Sequence, residues 1–149
     1  MTLALATVAD AIAGLAVASL TMKDINEIPA EVGNRAPMLI PAANFMSDFV
    51  MERDSFGGGS VAKMTVTYTL NYVLCYKAAA AGRSGILEYY DEMIAMTTAI
   101  LDKVLAVDTM AGTIDIVPIS VSGMGVVQDP AGMDYIGCYL AFRVQEFVN

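Results

Sequence analysis

The residue types that most often perform catalysis are sparse in this chain, and histidine is absent altogether. Without histidine, the commonest general base and the commonest nitrogen ligand for zinc are both missing. Ser60 and Lys63 match the S-x-x-K motif of penicillin-recognising enzymes, which needs its serine at the start of a helix. Here Lys63 opens a strand-like run, and neither S-D-N nor K-T-G occurs in the sequence. We therefore interpret the motif as a chance match.

The glycine clusters do not make a nucleotide-binding motif. The glycines at 57–59 are not followed by G-K-[ST], and Gly123 and Gly125 lack the third glycine and the helix of a dinucleotide fingerprint. Both clusters are typical of hinges or turns.

Carboxylates are the remaining candidates for chemistry. Asp48, Glu52 and Asp54 could hold a divalent cation, but their spacing matches no EF-hand loop, and an exposed acidic loop is the simpler interpretation. Asp115 and Glu146 lie in strand-like runs and are predicted to face solvent or a partner. We therefore predict no catalytic residue, no metal site and no cofactor.

Composition favours a protein that buries surface against other subunits. The 149 residues fit one domain, 1–149, and 56% of them are hydrophobic, with a mean hydropathy of +0.57. Large apolar patches usually mark interfaces. The 16 acidic and 8 basic residues give a net charge of −8, which opposes wrapping nucleic acid. Cys75 and Cys138 lie in apolar runs and are predicted to be buried free thiols, with a disulfide as the alternative.

The N-terminal apolar run superficially resembles a signal peptide. It has no basic residue before Lys23, and Asp10 interrupts it at its middle. The run is also too polar to span a bilayer comfortably. We expect a protein made in the cytosol that does not enter membranes.

The longest regular pattern is "KMTVTYTLNYVLCYK", residues 63–77, in which polar and apolar side chains alternate. Alternation predicts one long half-buried strand that begins near Val61. The parity with the tyrosines is predicted to face the core. The parity with Thr65, Thr67, Thr69 and Asn71 is predicted to face water or a neighbouring subunit.

The flanking segments complete the predicted fold. We expect helices over residues 2–20 and 85–107, a short strand at "APMLIPA", and a projecting hairpin or loop over residues 43–60. The residues of the second helix that are predicted to face the core are Ile86, Tyr90, Met93, Ile94, Thr97, Ile100, Leu101, Val104 and Leu105. Two further strands are expected at "TIDIVPISVSG" and "MDYIGCYLAFRVQEFV". This order predicts an α+β domain, with a mostly antiparallel four-stranded sheet and two helices packed on one face.

This arrangement resembles the tail terminator proteins of long-tailed phages, of the phage lambda type. The resemblance rests on "RAPMLIP" before a projecting loop, then a long Thr/Tyr strand, then an acidic helix. It implies a non-catalytic virion protein that forms a homohexameric ring, assembled in the host cytoplasm. Its partners would be the tail tube protein and the head connector or stopper protein, with DNA passing through unbound.

Two sets of residues follow as candidates for contacts. Residues on the arm are expected to touch a neighbouring subunit or the tube, with aromatic anchors and charges that can pair with a partner: Phe45, Asp48, Phe49, Glu52, Arg53, Asp54 and Phe56. An acidic channel would not adhere to phosphates, and the carboxylates that could line it are Glu88, Glu92, Asp102, Asp115 and Asp134. Alternatively, these acids only keep an apolar protein soluble.

Two rival functions stay open. One is another neck or tail component, such as a head–tail connector or a tube subunit. The other is a small-molecule-binding α+β domain, or an enzyme that uses carboxylates in a cleft beneath the helices.

Overall fold

The structure is a computed structural model that describes residues 3–53, 64–79, 82–106 and 114–148. Its helices are α1 (Leu5–Ala13) and α2 (Gly82–Leu105), and two 3-10 turns cover Ile25–Glu27 and Gly33–Arg35. Its strands are β1 (Thr21–Met22), β2 (Met38–Arg53), β3 (Met64–Ala78), β4 (Ile114–Val121), β5 (Gly125–Gln128) and β6 (Asp134–Val148).

The predicted four-stranded sheet is wrong, because the described residues form one mixed sheet of six strands. The order is β1-β2-β3-β6-β4, with β5 also paired to β6. β1 runs parallel to β2, and the other pairs are antiparallel. The two strands that the sequence did not predict have two and four residues, too short to show an alternating pattern.

β2 also runs much further than predicted. It continues past Pro41 to Arg53 and stays paired with β3, so residues 43–53 belong to the sheet. Two register shifts, between Pro41 and Met46 and between Ser47 and Val50, leave extra residues on β2. Such bulges break the alternation by which a strand is recognised. Residues 54–60 lie outside the described residues, so a projection beyond the strand stays a prediction.

The alternation of β3 is confirmed. Its even-numbered residues from Val66 to Leu74 are buried in one apolar cluster. Val8 and Ile12 of α1, and Ile100 and Val104 of α2, belong to the same cluster.

The buried stripe of α2 is narrower than predicted. Met93, Thr97, Ile100 and Val104 are buried at alternating spacings of four, three and four residues. Tyr90, Ile94 and Leu105 were expected in the core but are exposed. They lie beside the stripe that meets the sheet and leave an apolar strip on the outer side of α2.

A second apolar cluster lies on the other face of the sheet and covers only part of it. It joins side chains from β2, β3, β5 and β6 to Val32, and consists of Val32, Met38, Ile40, Val73, Cys75, Val127 and Tyr135. Ile28 and Ala36 pack against it, so the segment 25–36 covers this end of the sheet. Both cysteines are buried and free, as predicted.

β3 and β6 approach each other closely at Gly137, so a side chain at this position should destabilise the sheet. This residue pairs with Cys75, and a Cβ there would overlap the carbonyl oxygen of Leu74. Gly137→Ala should therefore lower the free energy of unfolding by about 3 kcal/mol or more, because backbone has to move. Denaturant unfolding measures the change. Gly123→Ala is the matched control, since its Cβ would meet no atom within 4 Å. Equal stability of the two variants would contradict this account of the pairing.

Candidate interaction surface

On the sheet face opposite the helices, the described residues that pack as a second layer lie over one end of the sheet. We call the rest of this face the open face. It includes the residues that line one shallow depression, together with two β4 residues that pair with them: Asp48, Val50, Glu52, Thr67, Thr69, Ile119, Arg143, Gln145, Asp115 and Val117. At its centre β3 contributes the short side chains of Thr67 and Thr69, and β6 contributes Arg143 and Gln145.

Apolar side chains are exposed on both outer strands. β1 pairs only with Met38 and Leu39, so the later part of β2 is one margin of the sheet within the described residues. Its exposed apolar residues are Met46, Phe49, Val50 and Met51. β4 is the opposite margin, and its exposed apolar residues are Val117, Ile119 and Val121. Two different apolar margins thus lie on opposite sides of one subunit.

The structure divides the predicted arm residues between two faces of β2. Phe45 packs edge-on against Tyr72, with ring centroids 5.3 Å apart, and Phe49 stacks on Tyr68 at 6.0 Å. Both tyrosines belong to the core parity of β3. Phe45 is therefore partly a core residue, whereas Phe49 remains 40% exposed.

The described charged residues of the predicted arm, Asp48, Glu52 and Arg53, are exposed. Asp48 and Glu52 lie on the open face, and Asp48 sits in the second bulge with a φ of 52°. Arg53 ends β2 opposite Met64. Asp54 and Phe56 lie outside the described residues.

The predicted channel residues are exposed but do not share one surface. Glu88, Glu92 and Asp102 lie on α2, whereas Asp115 lies on the open face across the sheet. Asp134 begins β6 and accepts a hydrogen bond from Gln128 Nε2 at 3.0 Å. Only Glu88 and Glu92, one helical turn apart, are neighbours. Which of these surfaces lines a channel stays a prediction.

Asn71 was predicted to face water or a subunit, but it closes the first bulge of β2. Its Nδ2 donates to Asn44 O at 2.8 Å and to Ser47 Oγ at 2.9 Å. The register shift between Pro41 and Met46 leaves a gap in the backbone ladder at this point. An amide donor at position 71 bridges that gap. The alternation of β3 does not indicate these hydrogen bonds.

The prediction for the side chain of Glu146 is wrong. It was expected to face solvent or a partner, but it is only 2% exposed and lies on the core side of β6. Its Oε1 accepts a hydrogen bond from Ala4 N at 2.6 Å. Ala4 is the N-cap of α1 and has no side-chain oxygen, so the distant carboxylate satisfies an amide at the helix start.

One oxygen of this carboxylate and a neighbouring hydroxyl have no well-formed hydrogen bond among the described residues. Glu146 Oε2 and the Tyr68 hydroxyl are buried without a hydrogen bond to any described residue. Burial raises the pKa of Tyr68 far above its usual value of 10.0, and the nearby Glu146 raises it further. Tyr68 therefore stays protonated over the whole physiological range.

A buried aspartate holds the covering segment to the sheet. Asp129 Oδ2 accepts from Val32 N at 2.9 Å and from the Tyr135 hydroxyl at 3.2 Å. Its Oδ1 accepts from Ala131 N and Met133 N. Burial alone would raise the pKa of Asp129, but these hydrogen bonds outweigh it and lower the pKa. A carboxylate with all these donors is structural.

A polar cleft beside α2 groups side chains that suit a small ligand. Lys77 Nζ donates to the Tyr89 hydroxyl at 2.8 Å and lies 4.2 Å from the centroid of the Tyr89 ring. That hydrogen bond is the main reason that the pKa of Lys77 is raised. Tyr76 donates to Glu92 Oε2 at 2.6 Å. Lys77 and Glu92 are exposed, so the cleft is open to solvent.

The described residues contain no group of three or more Cys, Asp or Glu side chains that could hold a metal ion. No helix in the described ranges is long and apolar enough to cross a bilayer. A comparison of the sequence with protein-family models finds no match, and a comparison with curated proteins finds none either.

The role of Glu146 predicts a contrast between two substitutions. Glu146→Gln keeps an oxygen for Ala4 N and removes a buried charge, so the free energy of unfolding should change by less than about 1 kcal/mol. Glu146→Ala leaves the amide unpaired and opens a cavity, and it should cost about 2 to 3 kcal/mol. Denaturant unfolding at neutral pH measures both. If Glu146→Gln were as damaging as Glu146→Ala, the charge rather than the hydrogen bond would hold α1.

The buried tyrosines predict how stability depends on alkaline pH. Because burial raises the pKa of Tyr68 in the folded state, its contribution is complete below pH 10 and is lost above it. Burial likewise raises the pKa of Cys75 to about 12, so its contribution declines from about pH 9. The free energy of unfolding should therefore fall above pH 9.

Tyr68→Phe should flatten the slope of the free energy of unfolding above pH 10 by up to about 1.4 kcal/mol per pH unit. It should leave stability at pH 7 the same or higher, since the lost hydroxyl is buried without a well-formed hydrogen bond among the described residues. An unchanged alkaline slope would contradict this reasoning.

Proposed function

We propose that this chain is a structural subunit of a homo-oligomeric ring, and that the ring is the tail terminator of a long-tailed phage. The single observation that supports a ring is the pair of apolar margins on opposite sides of the sheet. When a contact joins two different patches of identical subunits, the contact is head-to-tail, and repetition of it closes a ring if the rotation allows.

The margins favour contact through side chains rather than through continued strand pairing. β4 contains Pro118, which has no N–H, and a register shift follows it. β2 contains Pro41 and two register shifts. Prolines and bulges are devices that prevent strand edges from pairing. Burying a half-exposed Met or Val side chain contributes about 1 kcal/mol, so several on each margin are enough for a specific contact.

In this function the other partners are the tail tube protein and the head connector or stopper protein. DNA crosses the ring without specific binding, and the net charge of −8 favours that passage. The candidate channel acids are the exposed carboxylates of α2, or Asp115 and Asp134. A head–tail connector or a tube subunit would use the same apolar margins and is separated from a terminator by its position in the tail.

The polar cleft at Lys77, Tyr89 and Glu92 supports a second candidate, a small-molecule-binding domain. A monomer whose melting temperature rises with a bound anion or amine would favour this function over a ring.

The ring proposal predicts the effect of one charge on either margin. Negative-stain images of the purified protein should show closed rings, and its mass in solution should be a fixed multiple of 15.8 kDa. Met51→Lys on β2 or Val121→Lys on β4 should each reduce that mass to the monomer, because each would bury a charge in an apolar contact. The matched control is Met133→Lys, which is 52% exposed in the turn before β6, away from both margins. A monomeric parent protein would refute the ring.

Ring formation alone does not test terminator function, which needs a measurement of tail tube length. The protein should be co-expressed with the tail tube protein encoded by the same genome, and tube lengths measured by electron microscopy. A terminator keeps the tubes uniform in length, and Met51→Lys should leave them long and variable. Rings with no effect on tube length would leave a ring-forming neck component as the function.

A further inference from the structure

The polar cleft beside α2 holds two opposite charges that do not pair with each other. Lys77 on β3 and Glu92 on α2 both line it, and no ion pair joins these two described side chains. The other residues that line the cleft carry no charge. A cleft of about 340 Å³ therefore offers a ligand one cation and one anion, each without a charged partner across the cleft.

A tyrosine hydroxyl holds each of these charges in place. Lys77 Nζ donates to the Tyr89 hydroxyl at 2.8 Å, and the Tyr76 hydroxyl donates to Glu92 Oε2 at 2.6 Å. The two rings are neighbours, with centroids 6.1 Å apart. Burial and the hydrogen bond to Glu92 raise the pKa of Tyr76 to about 12, so its hydroxyl stays a donor at neutral pH. The tyrosines thus hold the ammonium and the carboxylate at separate points of the cleft.

Both charged groups keep hydrogen-bonding capacity for a ligand. A lysine ammonium has three N–H donors, and Tyr89 accepts from one of them. The Tyr89 hydroxyl keeps its own O–H to donate. Two donor atoms 2.8 Å apart suit the two oxygens of a carboxylate. Glu92 Oε1 accepts from no described residue, so it is available to an ammonium group.

We propose that the cleft binds a zwitterionic amino acid, with its carboxylate on Lys77 and the Tyr89 hydroxyl and its ammonium group on Glu92. A ligand of this class makes the chain a small-molecule-binding domain, the second function proposed above, on which this site rests. None of the exposed apolar residues of the two margins lines the cleft, so a ring subunit could carry the same site.

The surrounding charges favour a zwitterion over a simple anion or a simple amine. The pKa of Lys77 is raised mainly by its hydrogen bond to Tyr89 and further by Glu88 and Glu92, so both acids lie close to this ammonium. They would repel an anion that carries no positive charge, and Lys77 would repel an amine that carries no negative charge. A zwitterion places an opposite charge beside each group. Because exposed ion pairs contribute little, its dissociation constant should be on the order of millimolar.

The test is calorimetric titration of the full chain with glycine, β-alanine and γ-aminobutyrate, which carry the same two charges at increasing separation. Acetate and methylammonium, which carry one charge each, are the matched control ligands. At least one amino acid should bind saturably, and it should bind roughly fivefold or more tightly than either control ligand.

Two substitutions at exposed positions separate the two ends of the ligand. Lys77→Gln should weaken the amino acid roughly fivefold but not methylammonium. Glu92→Gln keeps an acceptor for Tyr76, and it should weaken the amino acid by a similar factor but not acetate. The matched control is Glu88→Gln, the same substitution one helical turn earlier, which should leave the affinity within about twofold because Glu88 does not line the cleft.

Three results would overturn the amino-acid site. The first is a parent protein that binds none of the three amino acids, and if neither control ligand binds, the support for a small-molecule-binding domain is lost as well. The second is acetate or methylammonium that binds as tightly as the best amino acid. If Lys77→Gln or Glu92→Gln abolishes that binding, the cleft still binds small ions and only the ligand class is wrong. The third is amino-acid binding that survives both substitutions, which would place the ligand elsewhere.

Discussion

The structure depends on one strand that is paired along both of its edges. β3 is hydrogen-bonded to β2 along one edge and to β6 along the other over nearly its whole length. The environment of each of its side chains therefore depends on the face of the sheet on which that side chain lies. The helices and the even-numbered residues of β3 share one buried cluster, and segment 25–36 covers one end of the opposite face. The rest of that opposite face is the open face. Its existence follows from a strand longer than the segment that covers it.

Periodicity in the sequence predicted the long strand β3 and the face of it that packs against the helices. Alternation from Met64 to Leu74 identified the strand and its core face, because side chains two residues apart must lie on the same side. It did not predict the environment of the other parity. Thr69 is buried and Asn71 donates a hydrogen bond to β2, although the pattern predicts that both face water or a neighbouring subunit. A polar residue in a central strand has a neighbouring strand on each side, and its own alternation does not show how far those strands shield it.

The errors have a common cause, which is contact between residues far apart in the chain. Glu146 is buried because an amide 142 positions away needs an acceptor, and nothing near Glu146 in sequence indicates that. Residues 43–60 are predicted to be a projecting hairpin or loop because bulges shift the pattern of β2 by several residues, and the hydrogen bonds that keep residues 43–53 in the sheet come from β3. Strands of two or four residues are likewise defined only by their partners. Local patterns carry no information on any of these, whereas the long helix and the long strand are fixed by their own periodicity.

A head-to-tail contact between the margins places a demand on the strand edges of the subunit. It leaves both ends of a ring free for different partners, as a terminator between tube and connector requires. Continued strand pairing would extend the sheet from one chain to the next rather than fix the angle at which subunits meet. Pro118 on β4 and the two register shifts of β2 interrupt the regular ladder at both edges. The contact therefore depends on side chains, and their fit sets the rotation between neighbouring subunits and whether the ring closes.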